Sequence, residues 1–247
     1  GTKIFITYGD HDLSENIIHL VLARLTDAPE GTRGISLFVV PKRLVLDDGT
    51  LGAENDVVCA GLERKLGIHG SPTAVMKFGE RGEGAVGDLV GHENRGLATM
   101  FVMMNAARLA VGIQGVAVAE RATQAAERYA HERLQGRAHG VKTGGMVPIA
   151  RHQDVRRMLL TMKAMTRAAR AICYATAREI DASHNAADEG QRSNAADRAA
   201  LFTPVAKAFS TDIGCEVASL GTSRFTAAWA SSRRPAPRRS IATRASF

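Results

Sequence analysis

The chain is poor in cysteine and lacks long apolar runs that are free of charge. Its 247 residues include three cysteines, Cys59, Cys173 and Cys215, and no two of them form a Cys-x-x-Cys pair. Isolated cysteines with apolar neighbours favour buried free thiols in a reducing cytoplasm over metal ligands. No uncharged apolar run approaches about 18 residues, so we expect no membrane span. No signal peptide is visible either.

Acidic residues are absent from the C-terminal segment, residues 222–247, which contains six arginines. The whole chain has a net charge of +7, so residues 1–221 carry only about +1. A basic tail is able to bind phosphate backbones through salt-sensitive contacts. One alternative is therefore a non-catalytic helical interaction module whose tail binds nucleic acid or acidic surfaces. The nearly neutral body has no basic face interleaved with aromatic residues, so we expect no nucleic-acid ligand.

The order of sequence patterns predicts strands first and helices afterwards. Short alternating apolar runs, such as KIFIT and GISLFVVP, are separated by Gly, Asp and Pro turns up to about residue 92. Apolar residues then recur at helical spacing. This order indicates an α+β chain, with part of a β-barrel-like or sandwich domain followed by a C-terminal helical bundle. The predicted helices cover about 95–135, 148–182 and 198–220, and a polar loop is predicted at 183–197.

The same patterns divide the chain into three segments. We predict a β-domain part at 1–94, an incomplete helical bundle at 95–221 and an aberrant, disordered tail at 222–247. The chain opens on Gly1 in a strand-like pattern without an initiator methionine. We therefore expect a fragment of a longer protein.

Each predicted helix carries one apolar stripe, and small residues are common in the first helix. Arg108 and Arg133 lie about seven turns apart there, on a similar face, and two guanidinium groups suit anions such as phosphates. The stripes are Met100, Met103, Met104, Ala107, Val111, Val118, Ala122, Ala125, Ala126 and Tyr129 in the first helix, Val155, Met158, Leu159, Met162 and Met165 in the second, and Leu201, Val205, Phe209, Ile213 and Val217 in the third.

Several segments occur in an order and spacing that resemble one enzyme family. They are GTKIFIT at the start, VVPK ending at residue 42, LGIHGSPTAVMKF at 66–78, VGHENRGL, AARLAVG and ERLQGR. Over residues 1–221 the chain resembles the acyl-CoA dehydrogenases. It is most similar to the branch that acts on 3-methylthiopropionyl-CoA and related short or aromatic acyl-CoA thioesters.

The resemblance implies an FAD-dependent α,β-dehydrogenation of an acyl-CoA thioester. A carboxylate base removes the α-proton, and the flavin takes a hydride from the β-carbon. It also implies an electron-transferring flavoprotein or a similar acceptor, and a homodimer or homotetramer in the intact protein. An acyl-CoA oxidase, which uses oxygen as acceptor, is a third possibility.

Family roles are implied at seven positions. Phe5 and Thr7 match the strand residues that meet the isoalloxazine ring, and alternating residues of an ordinary strand are the plainer interpretation. Asn105 and Arg108 match the helix positions at the CoA portion, where solvated helix-surface side chains are the alternative. Arg133 and Gln135 match the stretch that reaches the FAD pyrophosphate of a neighbouring subunit, and Gln153 matches a glutamine that contacts FAD from the next helix. The family usually has an aromatic residue before its glycine, whereas here Gln135 is followed directly by Gly136.

The chain has no candidate for the catalytic base at either position that the resemblance implies. In most of the family it is a glutamate downstream of residue 221, and in a minority it precedes the CoA-binding arginine, where this chain has Ala107. The tail suggests why the first is missing. Codons can be chosen that encode residues 222–238 in the present frame and, when read two bases further on, encode V-Q-V-H-G-G-M-G-F-I-E-E-T-G-A-A. This second sequence resembles the family. We therefore interpret 222–247 as a frameshift product.

Two other polar clusters are weaker signals. The acidic and histidine residues of DHD at 10–12 resemble metal ligands, but turn-forming residues after a strand are far commoner, and we predict no metal site. The run GERGEGAVG at 79–87 resembles a phosphate loop but lacks the Gly-Lys-Ser/Thr ending. We predict a surface hairpin loop there.

Overall fold

The computed structural model describes residues 1–82, 84–140 and 142–223, and it divides the chain into two compact units. The first unit is Gly1–Met104 and the second begins at Asn105. The predicted tail at 222–247 lies almost entirely outside the described residues. The observed order, strands and then three helices, confirms the predicted α+β class.

The first unit consists of eight short strands in three small antiparallel sheets. One sheet has the order β1-β7-β6, the second β2-β3-β8, and β4 pairs with β5. All the pairs within the sheets are antiparallel. The strands are β1 (Thr2–Thr7), β2 (Ile18–Arg24), β3 (Ile35–Pro41), β4 (Arg43–Val45), β5 (Leu51–Glu54), β6 (Val57–Leu62), β7 (Thr73–Phe78) and β8 (Asp88–Val90).

Apolar side chains of four strands, β2, β3, β6 and β7, form the core of this unit. Ala74 and Met76 of β7 are fully buried, and Val21, Val40 and Val57 pack with them. In β2 and β7 the buried positions alternate with more exposed ones, because successive strand residues point to opposite faces. The alternating runs of the sequence therefore predicted β1, β2, β3 and β7 correctly.

Buried polar groups join the segments between the strands. The side-chain amide of Asn55 donates to the carbonyl oxygens of Pro41 and Val86, each at 2.8 Å, and its oxygen accepts the N–H groups of Asp56 and Val86. All its hydrogen-bonding groups are thus satisfied, which a side chain that is 4% exposed requires. The segment at 79–87 joins β7 to β8, which lie in different sheets, so the predicted hairpin is wrong.

The three helices are α1 (Gly96–Glu132), α2 (Gln153–Asn185) and α3 (Glu189–Ser223). The second unit contains most of α1 and all of the other two, and their buried faces share one apolar core. Ion pairs join α1 to α2, from Arg170 to Glu120 at 2.7 Å and from Lys163 to Glu127 at 2.5 Å.

A buried carboxylate joins α2 to α3. Glu179 is 2% exposed, and its two oxygens accept hydrogen bonds from Arg178 and Arg198. The hydrogen bond from Arg178, and then that from Arg198, lowers the pKa of Glu179 below its ordinary value. The carboxylate therefore stays ionised although it is buried, because both of its oxygens have charged donors.

The predicted polar loop at 183–197 is wrong. Helix α2 continues to Asn185 and α3 begins at Glu189, which leaves only three residues between them. Asp188 starts the new helix, since its carboxylate accepts the N–H of Gln191 at 2.8 Å. The polar composition misled the prediction, because the segment is also rich in alanine, which favours helix.

The predicted stripes are correct for α2 and partly wrong for α3, where Ile213 and Val217 are buried, and for the first half of α1. Leu201 is 64% exposed, and Val205 and Phe209 are also exposed, whereas Ala199, Ala206 and Ser210 face the core. In α1, Met103 and Ala107 are exposed, as is Ala125 further along. The small residues are buried instead because they let the helices approach closely. Of the three free cysteines only Cys173 is fully buried; Cys59 and Cys215 are half-buried.

Helix α1 is long and apolar enough to cross a membrane by length and composition, with a mean hydropathy of 1.5 in its most apolar window. Only 11% of that window is buried. The core helix of a soluble protein passes the same test. The sequence analysis counted only apolar runs without charge, and Arg108 divides the apolar residues of α1 into two shorter runs.

Candidate functional site

Strand β1 exposes an aromatic side chain through an unusual backbone conformation. Lys3 pairs with Met76 and Ile6 with Ala74, so β1 has one more residue than β7 between these pairs and forms a bulge. Phe5 lies in the bulge with a φ of 59°, and its side chain is 66% exposed. The left-handed region is rarely occupied by a bulky residue and costs free energy. A large apolar ring is thereby presented to the exterior, with Thr7 exposed two residues further on.

Asn105 and Arg108 lie on α1 about one turn apart. Asn105 is exposed and Arg108 is half-buried, and the exposed Ala107 lies between them. An amide and a guanidinium on adjacent turns are suitable donors for phosphate oxygens. Ala107 has no group that accepts a proton.

Arg133, Gln135 and Gln153 are brought together by a two-stranded turn between α1 and α2. Gln135 donates its backbone N–H to the carbonyl oxygen of Val147 at 3.0 Å, and Val147 donates to Gly136 at 3.0 Å. Ile149 donates to the carbonyl oxygen of Arg133 at 2.8 Å, and Leu134 and Pro148 form an isolated β-bridge.

This ladder returns the chain to the position where α1 ends. A short 3₁₀ turn, Ile149–Arg151, follows, and Gln153 is the first residue of α2. The side chains of Arg133, Gln135 and Gln153 are all exposed. The geometry thus gives one guanidinium and two amides near the same end of the bundle, which is a donor set for an anion.

A residue that the sequence did not suggest holds this turn. The ring of His152 hydrogen-bonds through Nε2 to the carbonyl oxygen of Gln135 at 2.7 Å. Gly136 follows with a φ of +65°, the conformation that glycine tolerates best. The chain thus passes directly from Gln135 into this left-handed turn. No sequence signal marks His152, since a histidine before a helix commonly has no special role.

Arg108 lies in α1 and Arg133 directly follows its last residue, so the two arginines are far apart. Arg108 and Arg133 are 25 residues apart, which corresponds to about 37 Å at 1.5 Å per residue. They cannot contact the same small group. Phe5 and Thr7 belong to the first unit and the other five predicted residues to the second.

A family model described as "Acyl-CoA dehydrogenase, C-terminal domain" matches residues 94–228. The chain is 52% identical over 221 residues to a 3-methylmercaptopropionyl-CoA dehydrogenase of Ruegeria pomeroyi, covering 90% of this chain and 37% of that protein. It is 44% identical over 218 residues to a butyryl-CoA dehydrogenase of Syntrophomonas wolfei, covering 86% and 36%. The chain thus spans little more than a third of the length of these relatives.

Solved structures have the same fold. The butyryl-CoA dehydrogenase of Megasphaera elsdenii matches with a TM-score of 0.70 and 25% identity, over 98% of this chain and 54% of that one. An acyl-CoA dehydrogenase of Bacillus anthracis, complexed with FAD, matches with a TM-score of 0.74 and 21% identity, over 98% and 37%.

Proposed function

Because the chain belongs to the acyl-CoA dehydrogenase family, we propose that it is part of an enzyme that dehydrogenates an acyl-CoA thioester with FAD. The observation that carries the proposal is the clustering of Arg133, Gln135 and Gln153 around one ordered turn. By complete protein we mean residues 1–221 together with the additional segments that are found in its relatives.

The residues present fit a flavin dinucleotide. Phe5 supplies an exposed aromatic face, which the bulge in β1 maintains at a cost in backbone strain, and Thr7 supplies a hydroxyl. Arg133, Gln135 and Gln153 supply charged and neutral donors for a pyrophosphate. FAD, when bound, supplies the hydride acceptor, and the protein contributes binding, orientation and exclusion of water.

The distance along α1 supports an assembly of several copies. Arg108, which we propose binds the CoA portion, and Arg133, which directly follows α1 and which we propose binds the pyrophosphate, are about 37 Å apart along the helix direction. We propose that Arg133 and Gln135 serve the FAD of a neighbouring copy in a homodimer or homotetramer. The exposed apolar stripe Leu201, Val205 and Phe209 of α3 is a surface that such a copy would cover.

The substrate that we propose is a short acyl-CoA thioester, such as 3-methylthiopropionyl-CoA or butyryl-CoA. The identities of 52% and 44% to dehydrogenases named for such thioesters support it. Asn105 and Arg108 would bind the CoA portion. Electrons would pass to an electron-transferring flavoprotein or a similar carrier in the cytoplasm.

The chain as printed would have no turnover. Ala107 occupies the alternative position of the base, and the usual glutamate is expected beyond Gly221, where the printed sequence becomes basic. Without a carboxylate near the α-carbon, the α-proton has no acceptor. Sequencing the gene around the codon for Gly221 tests this, because the restored frame should encode H-G-G-M-G-F and then a glutamate.

The complete protein tests the function directly. We expect it to purify yellow, to contain FAD, and to lose its visible flavin absorbance on mixing with a short acyl-CoA. Hydrogen peroxide formed in air without another acceptor would instead identify an oxidase. A colourless complete protein that takes up no FAD would overturn the proposal and favour the interaction module. Turnover by the printed chain with an artificial acceptor would overturn the assignment of a missing base.

A further inference from the structure

His152 connects the turn after α1 to the first residue of α2. Its backbone N–H donates to the carbonyl oxygen of Ile149 at 3.0 Å, and its own carbonyl oxygen accepts the N–H of Arg156 at 3.0 Å. The backbone of His152 is therefore fixed both by the 3₁₀ turn and by α2. Because the residue is half-buried and its side chain adopts staggered rotamers, the ring has few possible orientations.

The ring is used to hold the opposite strand of the turn. Nε2 lies 2.7 Å from the carbonyl oxygen of Gln135, and since a carbonyl only accepts, Nε2 carries the proton. A Cβ atom built on Gly136 would lie 3.6 Å from Cε1 of His152, so the ring also packs against this glycine. Glycine here allows the left-handed backbone, with a φ of +65°.

The backbone of Gln135 is consequently held on both sides. Its N–H donates to Val147 at 3.0 Å and its carbonyl oxygen accepts from His152. Gln153 directly follows His152 in the sequence. One imidazole therefore sets the separation between the Gln135 and Gln153 backbones from which two donor side chains extend.

We infer that His152 is a positioning residue for the FAD pyrophosphate, acting through the Gln135 carbonyl rather than by contact with the cofactor. The inference rests on the proposed function, because it assumes that Arg133, Gln135 and Gln153 bind the pyrophosphate. It goes beyond that function because it attributes the placement of the three donor side chains to one hydrogen bond, from His152 to Gln135.

Hydrogen exchange on the complete protein without FAD tests the hydrogen bond itself. In His152→Ala, the amides of Gln135 and Val147 should exchange about tenfold faster, because opening of the turn loses one hydrogen bond. His152→Gln should restore slow exchange, since its amide nitrogen can occupy the place of Nε2. The matched control is His139→Ala, an exposed histidine of the same connecting segment, which should leave both rates unchanged.

FAD titration of the same variants tests the positioning role. His152→Ala should bind FAD about tenfold more weakly than the wild type at an unchanged melting temperature. His152→Gln should recover most of the affinity, which a merely structural loss would not predict. The visible circular dichroism of bound flavin should be altered in His152→Ala and normal in His152→Gln.

Each result decides a separate point. Unchanged exchange in His152→Ala would overturn the hydrogen bond and with it the inference. Faster exchange with unchanged FAD affinity would overturn the positioning role and leave the proposed function intact. If the wild-type complete protein binds no FAD, the proposed function fails together with the positioning role, while the exchange rates still decide whether His152 holds the turn.

Discussion

Gly115 and Gly214 bring the backbones of α1 and α3 into contact. A Cβ atom built on Gly214 would lie 2.8 Å from the carbonyl oxygen of Gly115, and one built on Gly115 would lie 2.3 Å from the carbonyl oxygen of Ser210. Side chains at these positions would separate the helices, because backbone atoms cannot move aside as a flexible side chain does. The small residues of both helices therefore determine how closely the bundle packs.

Gly214→Ala should destabilise the 247-residue chain by about 1–3 kcal/mol, the usual cost of overpacking a core. Alanine favours helix over glycine by about 1 kcal/mol, so the measured loss is net of that gain. The control is Gly145→Ala, outside the helices, where no atom lies within 4 Å of the added Cβ. Urea denaturation should show loss for the first variant and no loss for the second; equal effects would contradict the close contact.

His19 should make the stability of the first unit depend on pH. The side chain is 8% exposed, and burial lowers the pKa of the imidazole below its ordinary value, although Asp10 opposes this and Lys42 and His11 add to it. In the unfolded chain His19 takes up a proton below about pH 6.5, whereas the folded chain takes it up only at lower pH. The contribution of His19 to the free energy of unfolding is therefore complete above about pH 6.5 and decreases as the pH falls below that value.

Unfolding curves between pH 7.5 and 5 check this effect. In His19→Gln the decrease in stability on acidification should be smaller than in the wild type. His69→Gln, at an exposed histidine, should retain the wild-type dependence. Identical pH dependence in all three proteins would show that His19 is protonated equally well in the folded and unfolded chains.

Arg108→Ala should weaken acyl-CoA binding in the complete protein by about 1.5–3 kcal/mol, the value of hydrogen bonds to charged groups. The Michaelis constant should rise by roughly 10- to 150-fold with a small change in melting temperature. Arg128→Ala, at an exposed arginine of the same helix, is the control and should change neither. An unchanged Michaelis constant, or a collapse in thermal stability, would indicate a structural role for Arg108.

Phe209→Glu should dissociate the proposed assembly. Phe209 is exposed together with Leu201 and Val205, and a carboxylate in an apolar interface would be desolvated without a partner. Light scattering on the complete protein should report a smaller particle for this variant with unchanged helical circular dichroism. Glu216→Gln, at an exposed polar position of α3, should keep the assembly. An unchanged mass for Phe209→Glu would exclude this surface as the interface.

The sequence by itself determined the order of strands and helices and the α+β class. Alternation at β1, β2, β3 and β7 has the period of a strand, and the stripe of α2 has the period of a helix, so both follow from local geometry. The family resemblance was likewise visible in the order of short segments. Each of these features depends on neighbours in the sequence and needs no knowledge of the packing.

Only the tertiary structure decided which helix faces are buried. Periodicity identifies an apolar face, but α3 buries Ala206 and Ser210 and exposes Phe209, because α1 approaches too closely for large side chains. The left-handed conformation of Phe5 and the hydrogen bond from His152 to Gln135 likewise depend on a second segment distant in sequence. A residue pattern describes one element at a time, whereas burial, bulges and such hydrogen bonds depend on both partners.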